Sequence, residues 1–361
     1  MQNLMNKRQT LSLKDALHLA LEAKGKLTFH WVGQKGIGKT SVIEKGARDS
    51  NLKLAFFDCT ALTLEDIGIM DLNRAEGYAE YLFNKHWGFH LNEPLFIVLD
   101  EFTKAPKNLQ AMLHGLLTHP RRIGSIPIHP DSIVVTTGNL KQEGVGDRML
   151  GHTANRNVEI YIRNSTSTEW IDWGLDNGIH PMILAWVKQK PELFDSFLDD
   201  PEGTNEYISN PKNGDAKCVT GRSLHMASDL LHLYTNGDIP RNTLKVAIQG
   251  AIGMKGATDL DVFIDMADSL PSPQEILEDP ENARVPDIAG SSTITVSSAL
   301  TWVDNERKLG KWLIYMQRLP VEAQAYFVLL GKNKPKMYKI MKLHKPYQDW
   351  VFTNEHLFEQ D

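Results

Sequence analysis

Short apolar runs separated by amphipathic stretches dominate the first half of the chain. Residues 27–33 (LTFHWVG), 54–59 (LAFFDC), 95–100 (LFIVLD), 132–139 (SIVVTTGN) and 158–162 (VEIYI) are brief and almost continuously apolar. Such runs predict five strands, and the run at 95–100, bounded by Pro94 and a Lys/Pro/Asn segment, reads as buried on both faces, as in a parallel sheet. SVIEKGARDS follows the first run and NLQAMLHGLL the third, both with helical spacing, so strand and helix alternate as in an α/β domain. From about Ser165 the texture becomes helical, in STEWIDWGLDNG, PMILAWVKQKPELFD, GRSLHMASDLLHLY, NTLKVAIQGAI and DLDVFIDMADSL. A Pro- and acid-rich passage at 271–292 reads as a linker or irregular crossing, and helical segments resume beyond it. Three regions are therefore expected: an α/β core over 1–165, a helical region over 166–270 and a C-terminal helical region over 271–361.

Composition narrows the class. The 361 residues are 42% hydrophobic and 23% charged, enough for a substantial core. The formal net charge of −6 argues against a generally cationic nucleic-acid surface. The Lys-rich run from Lys332 to Lys345 reads as a solvated face. Cys59 and Cys218 stand too far apart for a thiol or zinc motif and fit a reducing compartment. Neither a secretion signal nor a membrane-length apolar run is found, so a soluble, cytoplasmic protein is expected.

The chemistry concentrates at the ends of the apolar runs. The first leads into GQKGIGKTS, which fits Gly-x4-Gly-Lys-Thr from Gly33 to Thr40. With Gly at about 7% of residues, a chance match in a chain this long is expected roughly once or twice in a hundred. The glycines let backbone N–H groups turn toward phosphate oxygens, Lys39 reaches the terminal phosphates, and Thr40 ligates magnesium. A helix starting there adds its positive N-terminal dipole. Gly33, Gly36, Ile37, Gly38, Lys39, Thr40 and Ser41 are thus the candidates for holding a nucleotide.

The third run ends in Asp100 and Glu101. Alone, that pair would serve equally to end a strand and open a turn. With a nucleotide on the loop after the first strand, the parallel sheet carries both acids to the same edge, where the third strand is expected beside the loop. Asp100 then suits magnesium, directly or through water, and Glu101 suits the proton of an attacking water. Asn139, closing VVTTGN, is a candidate for orienting that water. Arg148 and Arg156 follow, and Arg156 is a candidate for a cation presented to a neighbouring protomer.

In this order, Gly33 to Thr40, LFIVLDE, TTGN, ANR and TGRS (220–223), the chain resembles the AAA+ ATPases, and specifically the MoxR type. DEFTKAPKNLQAMLHGLL, WIDWGLDNGIHPMILAWVKQKPELFD and QEILEDPENARVP are similar to that family as well. The resemblance implies an AAA+ P-loop core with a five-stranded parallel sheet, a helical lid and a C-terminal helical region. It implies that Lys39 and Thr40 belong to Walker A, Asp100 and Glu101 to Walker B, Asn139 to sensor 1, Arg156 to the arginine finger and Arg222 to sensor 2. Two positions depart from the family pattern: Asn157 stands where an aromatic is usual, and Gly221 where proline precedes the sensor 2 arginine.

The family further implies a magnesium-dependent ATPase that assembles into a homo-oligomeric ring, a hexamer, and remodels a protein client, often a von Willebrand A-like protein. In that family the segment 64–73 (LEDIGIMDLN) faces the ring's channel, which would set Ile69 and Met70 near substrate. His86 and His90 share helical i, i+4 spacing, but Gly88 intervenes and no third metal ligand is evident. Two other functions use the same core: a nucleic-acid motor or loader, and a nucleotide-gated switch with little turnover.

Overall fold

The computed structural model describes residues 9–124, 126–140, 155–213, 217–267, 270–286 and 289–354. The chain divides into two compact units, Met1–Asn164 and Ser165–Asp361. No helix among the described residues is long and apolar enough to cross a membrane.

The first unit is built on β1 (Thr28–Val32), β2 (Lys53–Asp58), β5 (Leu95–Asp100), β8 (Ile133–Gly138) and β9 (Val158–Tyr161), which form one sheet in the order β2-β5-β8-β1-β9. Every pairing in it is parallel. The reason the runs are continuously apolar is visible in β5. Leu95, Ile97 and Leu99 pack into one core cluster with Leu109 and Leu113 of helix α4 (Lys107–Leu113). Phe96 and Val98 pack on the opposite face, with Ala16 of α1 (Leu13–Glu22) and Ile43 of α2 (Lys39–Asp49). A strand buried on both faces has no polar face to alternate with. Ahead of α1, Leu11 makes an isolated parallel bridge to Ile162, extending the β9 edge.

The expected five-stranded parallel sheet in an α/β P-loop core, followed by a helical region, is the fold found. Two features differ from expectation. Four further strands form two antiparallel hairpins, β3 (Gly68–Asn73) with β4 (Tyr78–Phe83), and β6 (Arg122–Ile123) with β7 (Ile126–Pro127). The segment 64–73 is thus a short helix, α3 (Leu64–Ile67), running into a hairpin strand. Second, β5 is not next to β1: β8 lies between them. The order of strands in the sheet differs from their order in the chain, so the fourth strand rather than the third borders the first.

The second unit is helical. Its cluster of buried side chains runs from Trp170 to Tyr347, so helices on both sides of residue 270 share one core. Helix Pro181–Gln189 is central to it, with Met182 through Val187 all buried. The passage at 271–292 contains the six-residue helix Pro273–Glu278, capped by Ser272, and the start of helix Ala289–Trp302. Helix Arg241–Ala267 is broken at Gly253, whose φ of 79° and ψ of 171° are not helical. A Cβ there would lie 2.2 Å from the Lys217 carbonyl oxygen.

Candidate functional site at the C-terminal sheet edge

β1 is buried along its whole length and delivers the chain to the glycine-rich loop. The loop begins under constraint. Gly33 donates to the Gly138 carbonyl at 3.2 Å, and a Cβ on Gly33 would meet Ile37 Cδ1 at 2.9 Å and the Ile162 carbonyl at 3.1 Å. Gly36 (φ 77°) and Gly38 (φ 97°) take left-handed conformations that a side chain would oppose. Gly38 is also the N-cap of α2, with no side-chain cap. Lys39 and Thr40 are the first two residues of that helix, and Ser41 follows, exposed.

Lys39 is buried, and its ammonium donates to the Gly33 and Gln34 carbonyls at 2.8 Å and 2.9 Å. It also lies 3.5 Å from Asn139 Oδ1. A cation held in this way, at the start of a helix and over a loop shaped by three glycines, fits a phosphate chain. The residues present therefore suit a nucleotide with its magnesium ion, with Thr40 and Asp100 as the candidates for the metal.

The two acids are fixed by a residue that the sequence does not single out. Thr137 on β8 is fully buried, donates its hydroxyl to Asp100 Oδ1 at 2.5 Å and accepts the Glu101 N–H at 2.9 Å. β8, standing between β1 and β5, thus joins the acids to the loop. Burial pushes the Asp100 carboxyl above its ordinary range, against the opposing pull of Thr137 and of the Lys39 charge, while Glu101 and Asp58 push it further up. Asp58 pairs in register with Asp100 across β2 and β5. A half-buried carboxylate crowded by two other acids gains from a cation.

Glu101 sits at φ 49° and opens the 3-10 turn Phe102–Lys104. Asn139 Nδ2 donates to Glu101 Oε1 at 3.3 Å, and the Lys104 ammonium pairs with Glu101 Oε2. Lys39, Asn139, Glu101 and Asp100 are therefore brought together. Lys104 was not among the expected residues; its only sequence signal is a base three positions after the second acid.

Arg156 lies outside this constellation, exposed just before the edge strand β9, with Nη1 2.8 Å from His114 Nε2. Arg148 lies outside the described residues. Arg222 belongs to the second unit, exposed in the first turn of helix Gly221–Thr235. The start of that helix, where Gly221 stands in place of proline, is held by a capping box: Thr220 accepts the Ser223 N–H at 3.1 Å and returns its own N–H to Ser223 Oγ at 2.8 Å. His86 and His90 fall in separate 3-10 turns on either side of Gly88, and no cluster of three metal-ligating side chains occurs among the described residues.

No protein-family model matches the chain. No curated protein matches it either. Among solved structures it is similar to a Thermotoga maritima RuvB mutant, at 14% identity over 75% of each chain with a TM-score of 0.35. It is similar to Brucella abortus NtrX in complex with ADP, at 15% identity over 94% of this chain and 70% of that one, TM-score 0.39. A third likeness is to S. cerevisiae Hsp104 in a casein complex, at 16% identity over 63% of this chain and 46% of that one, TM-score 0.38. All three are low in both identity and TM-score, so function is read from this chain's own residues.

Proposed function

We propose that the chain is a magnesium-dependent ATPase of the AAA+ kind, of MoxR type, which works in the cytoplasm as a homo-oligomeric ring, a hexamer, and remodels a protein client. The observation that carries this reading is the joining of Lys39, Asn139, Glu101 and Asp100 along one edge of a parallel sheet, with Thr137 as the link. Lys39 binds the terminal phosphates, and the backbone of Gly36 to Gly38 cradles them. Thr40 and Asp100 would hold the magnesium ion, which would supply neutralisation of the phosphate charge. Glu101 accepts the proton of the attacking water, and Asn139 orients that water. Arg156, exposed beside β9, serves the site of the neighbouring protomer, and Arg222 serves as the second sensor.

The client reading rests on the β3–β4 hairpin. Ile69 and Met70 are each 59% exposed although they point to opposite faces of the ribbon, and Leu72, Tyr78 and Leu82 are exposed with them. A two-stranded ribbon with apolar residues on both faces is marginal in water and gains from a partner. A protein segment, as offered by a von Willebrand A-like client, suits it.

The experiment is ATP turnover against protein concentration, with and without magnesium, for the wild type and Glu101→Gln, with mass recorded by light scattering. Magnesium-dependent turnover that rises steeply with the appearance of a multimer and vanishes in the variant supports the reading. ATP binding with turnover that is absent at every concentration overturns it in favour of a switch.

A further inference from the structure

Both oxygens of Glu101 are engaged, each by a different residue. Oε1 accepts from Asn139 Nδ2, and Oε2 pairs with the Lys104 ammonium. The local backbone makes the second contact possible. Glu101, in the left-handed region, turns the chain sharply at the end of β5; the Lys104 N–H then returns to the Glu101 carbonyl at 2.8 Å, and fully buried Phe102 anchors the turn. Lys104 is only 24% exposed and Glu101 32%, so the pair is partly shielded from solvent. On its other side Asn139 approaches Lys39, which rests on loop carbonyls. Lys39, Asn139, Glu101 and Lys104 thus form one continuous polar chain, from the phosphate-binding loop to the first turn after the acids.

We infer that Lys104 is a positioning residue: its ammonium clamps Glu101 in a resting orientation, and the clamp opens when phosphate draws Lys39 away from the loop carbonyls and Asn139. This rests on the ATPase reading of the same site. In the reaction, the water oxygen forms a bond to the terminal phosphorus, the bond to the bridging oxygen breaks, and the water proton passes to Glu101. With Oε1 on Asn139 and Oε2 on Lys104, neither carboxylate oxygen is turned free to meet the attacking water. The clamp therefore restrains turnover until nucleotide is seated, and it keeps Glu101 beside half-buried Asp100 from drifting toward solvent.

Two measurements test this on the full chain. The first does not depend on turnover: acetylation of lysine amines by acetic anhydride, followed by mass spectrometry of the Lys104 peptide. Lys104 is expected to react several-fold more slowly in the nucleotide-free wild type than in Glu101→Gln, and to speed up when ATP and magnesium are added to the wild type. Modification of Lys104 that is indifferent to Glu101→Gln overturns the clamp. The second compares ATP affinity and turnover in Lys104→Met and Lys104→Arg at one protein concentration at which the multimer has formed. Lys104→Met is expected to raise basal turnover at least threefold with unchanged ATP affinity, while Lys104→Arg restores the wild-type rate. Turnover that is unchanged or lower in Lys104→Met overturns it. Failure of the wild type to bind ATP would instead remove the ATPase reading, and the acetylation comparison would still decide whether the pair exists.

Discussion

Thr137 donates to Asp100 at 2.5 Å while its oxygen accepts the backbone N–H of Glu101, so one buried hydroxyl on β8 sets both acids at the end of β5. Replacing it by valine keeps the shape and removes both bonds. Thr137→Val should push the Asp100 carboxyl further up, because the hydroxyl donor that opposes the effect of burial is lost. It should also cost about 1–3 kcal/mol of stability for the unmet partners. Magnesium-supported ATP binding is expected to weaken roughly tenfold, with Thr137→Ser close to wild type. Titration of ATP with and without magnesium, beside urea denaturation, checks both halves.

Arg121 is a second buried anchor, at the opposite end of β1. Its guanidinium donates to Thr28 Oγ1, to the Gly25 and Leu27 carbonyls and to the Leu116 carbonyl, and it is 2% exposed. Desolvation brings its pKa down to about 10, still well above neutrality, so the charge is retained. Arg121→Ala leaves those acceptors unpaired inside the core. Each stranded acceptor is expected to cost about 1–3 kcal/mol. Arg121→Lys should recover only part of that loss, since one ammonium cannot match a planar fork. Denaturant midpoints of the three proteins measure this.

Two histidines make stability depend on acid. His30 on β1, bonded to Thr136, and His180, stacked edge-on against His232, are both brought down to about 4 by burial. The unfolded chain protonates each near its ordinary value of 6.5, so between that pH and about 4 the unfolded state binds more protons. Stability therefore falls as pH is lowered through that window, by on the order of 3 kcal/mol for each group once pH reaches the folded value. Thermal midpoints from pH 7 to 4 should decline, and His180→Gln should flatten the slope. An unchanged slope in that variant would show that His180 binds its proton equally in the folded and unfolded chains.

The sheet and the glycine loop were legible in the sequence because each leaves a dense local mark. Phe96, Ile97 and their neighbours Leu95, Val98 and Leu99 on β5 are all apolar because the strand is covered twice, and Gly33, Gly36 and Gly38 sit where a side chain has no room or the wrong φ. The β3–β4 hairpin left no such mark. Adjacent Ile69 and Met70 are both exposed, so the ribbon has no period of two to read, and only Gly77, at φ 74°, signals its turn. Thr137 and Lys104 were not legible because their roles come from pairing: Thr137 meets Asp100 only after β8 enters the sheet beside β5, and Lys104 meets Glu101 only because Glu101 is left-handed and a 3-10 turn follows it.

Arg156 offers the sharpest test of assembly, because its proposed partner is another copy of the chain. It is exposed and lies against His114 rather than against Glu101 or Lys39. If Arg156 completes the neighbour's site, Arg156→Ala should keep ATP binding and lose turnover by about a thousandfold or more, the scale of a transition-state cation. Glu101→Gln should also be inactive, for a different reason. A mixture of the two inactive proteins then contains interfaces where an intact Glu101 from one protomer faces an intact Arg156 from the next. In a head-to-tail ring assembled at random from equal amounts, about a quarter of the interfaces are of that kind. Turnover in the mixture should therefore recover toward about a quarter of the wild-type rate, provided that sites act independently. A mixture as inactive as its components would mean that Arg156 serves its own protomer or none, and that the concentration dependence of turnover must come from another residue.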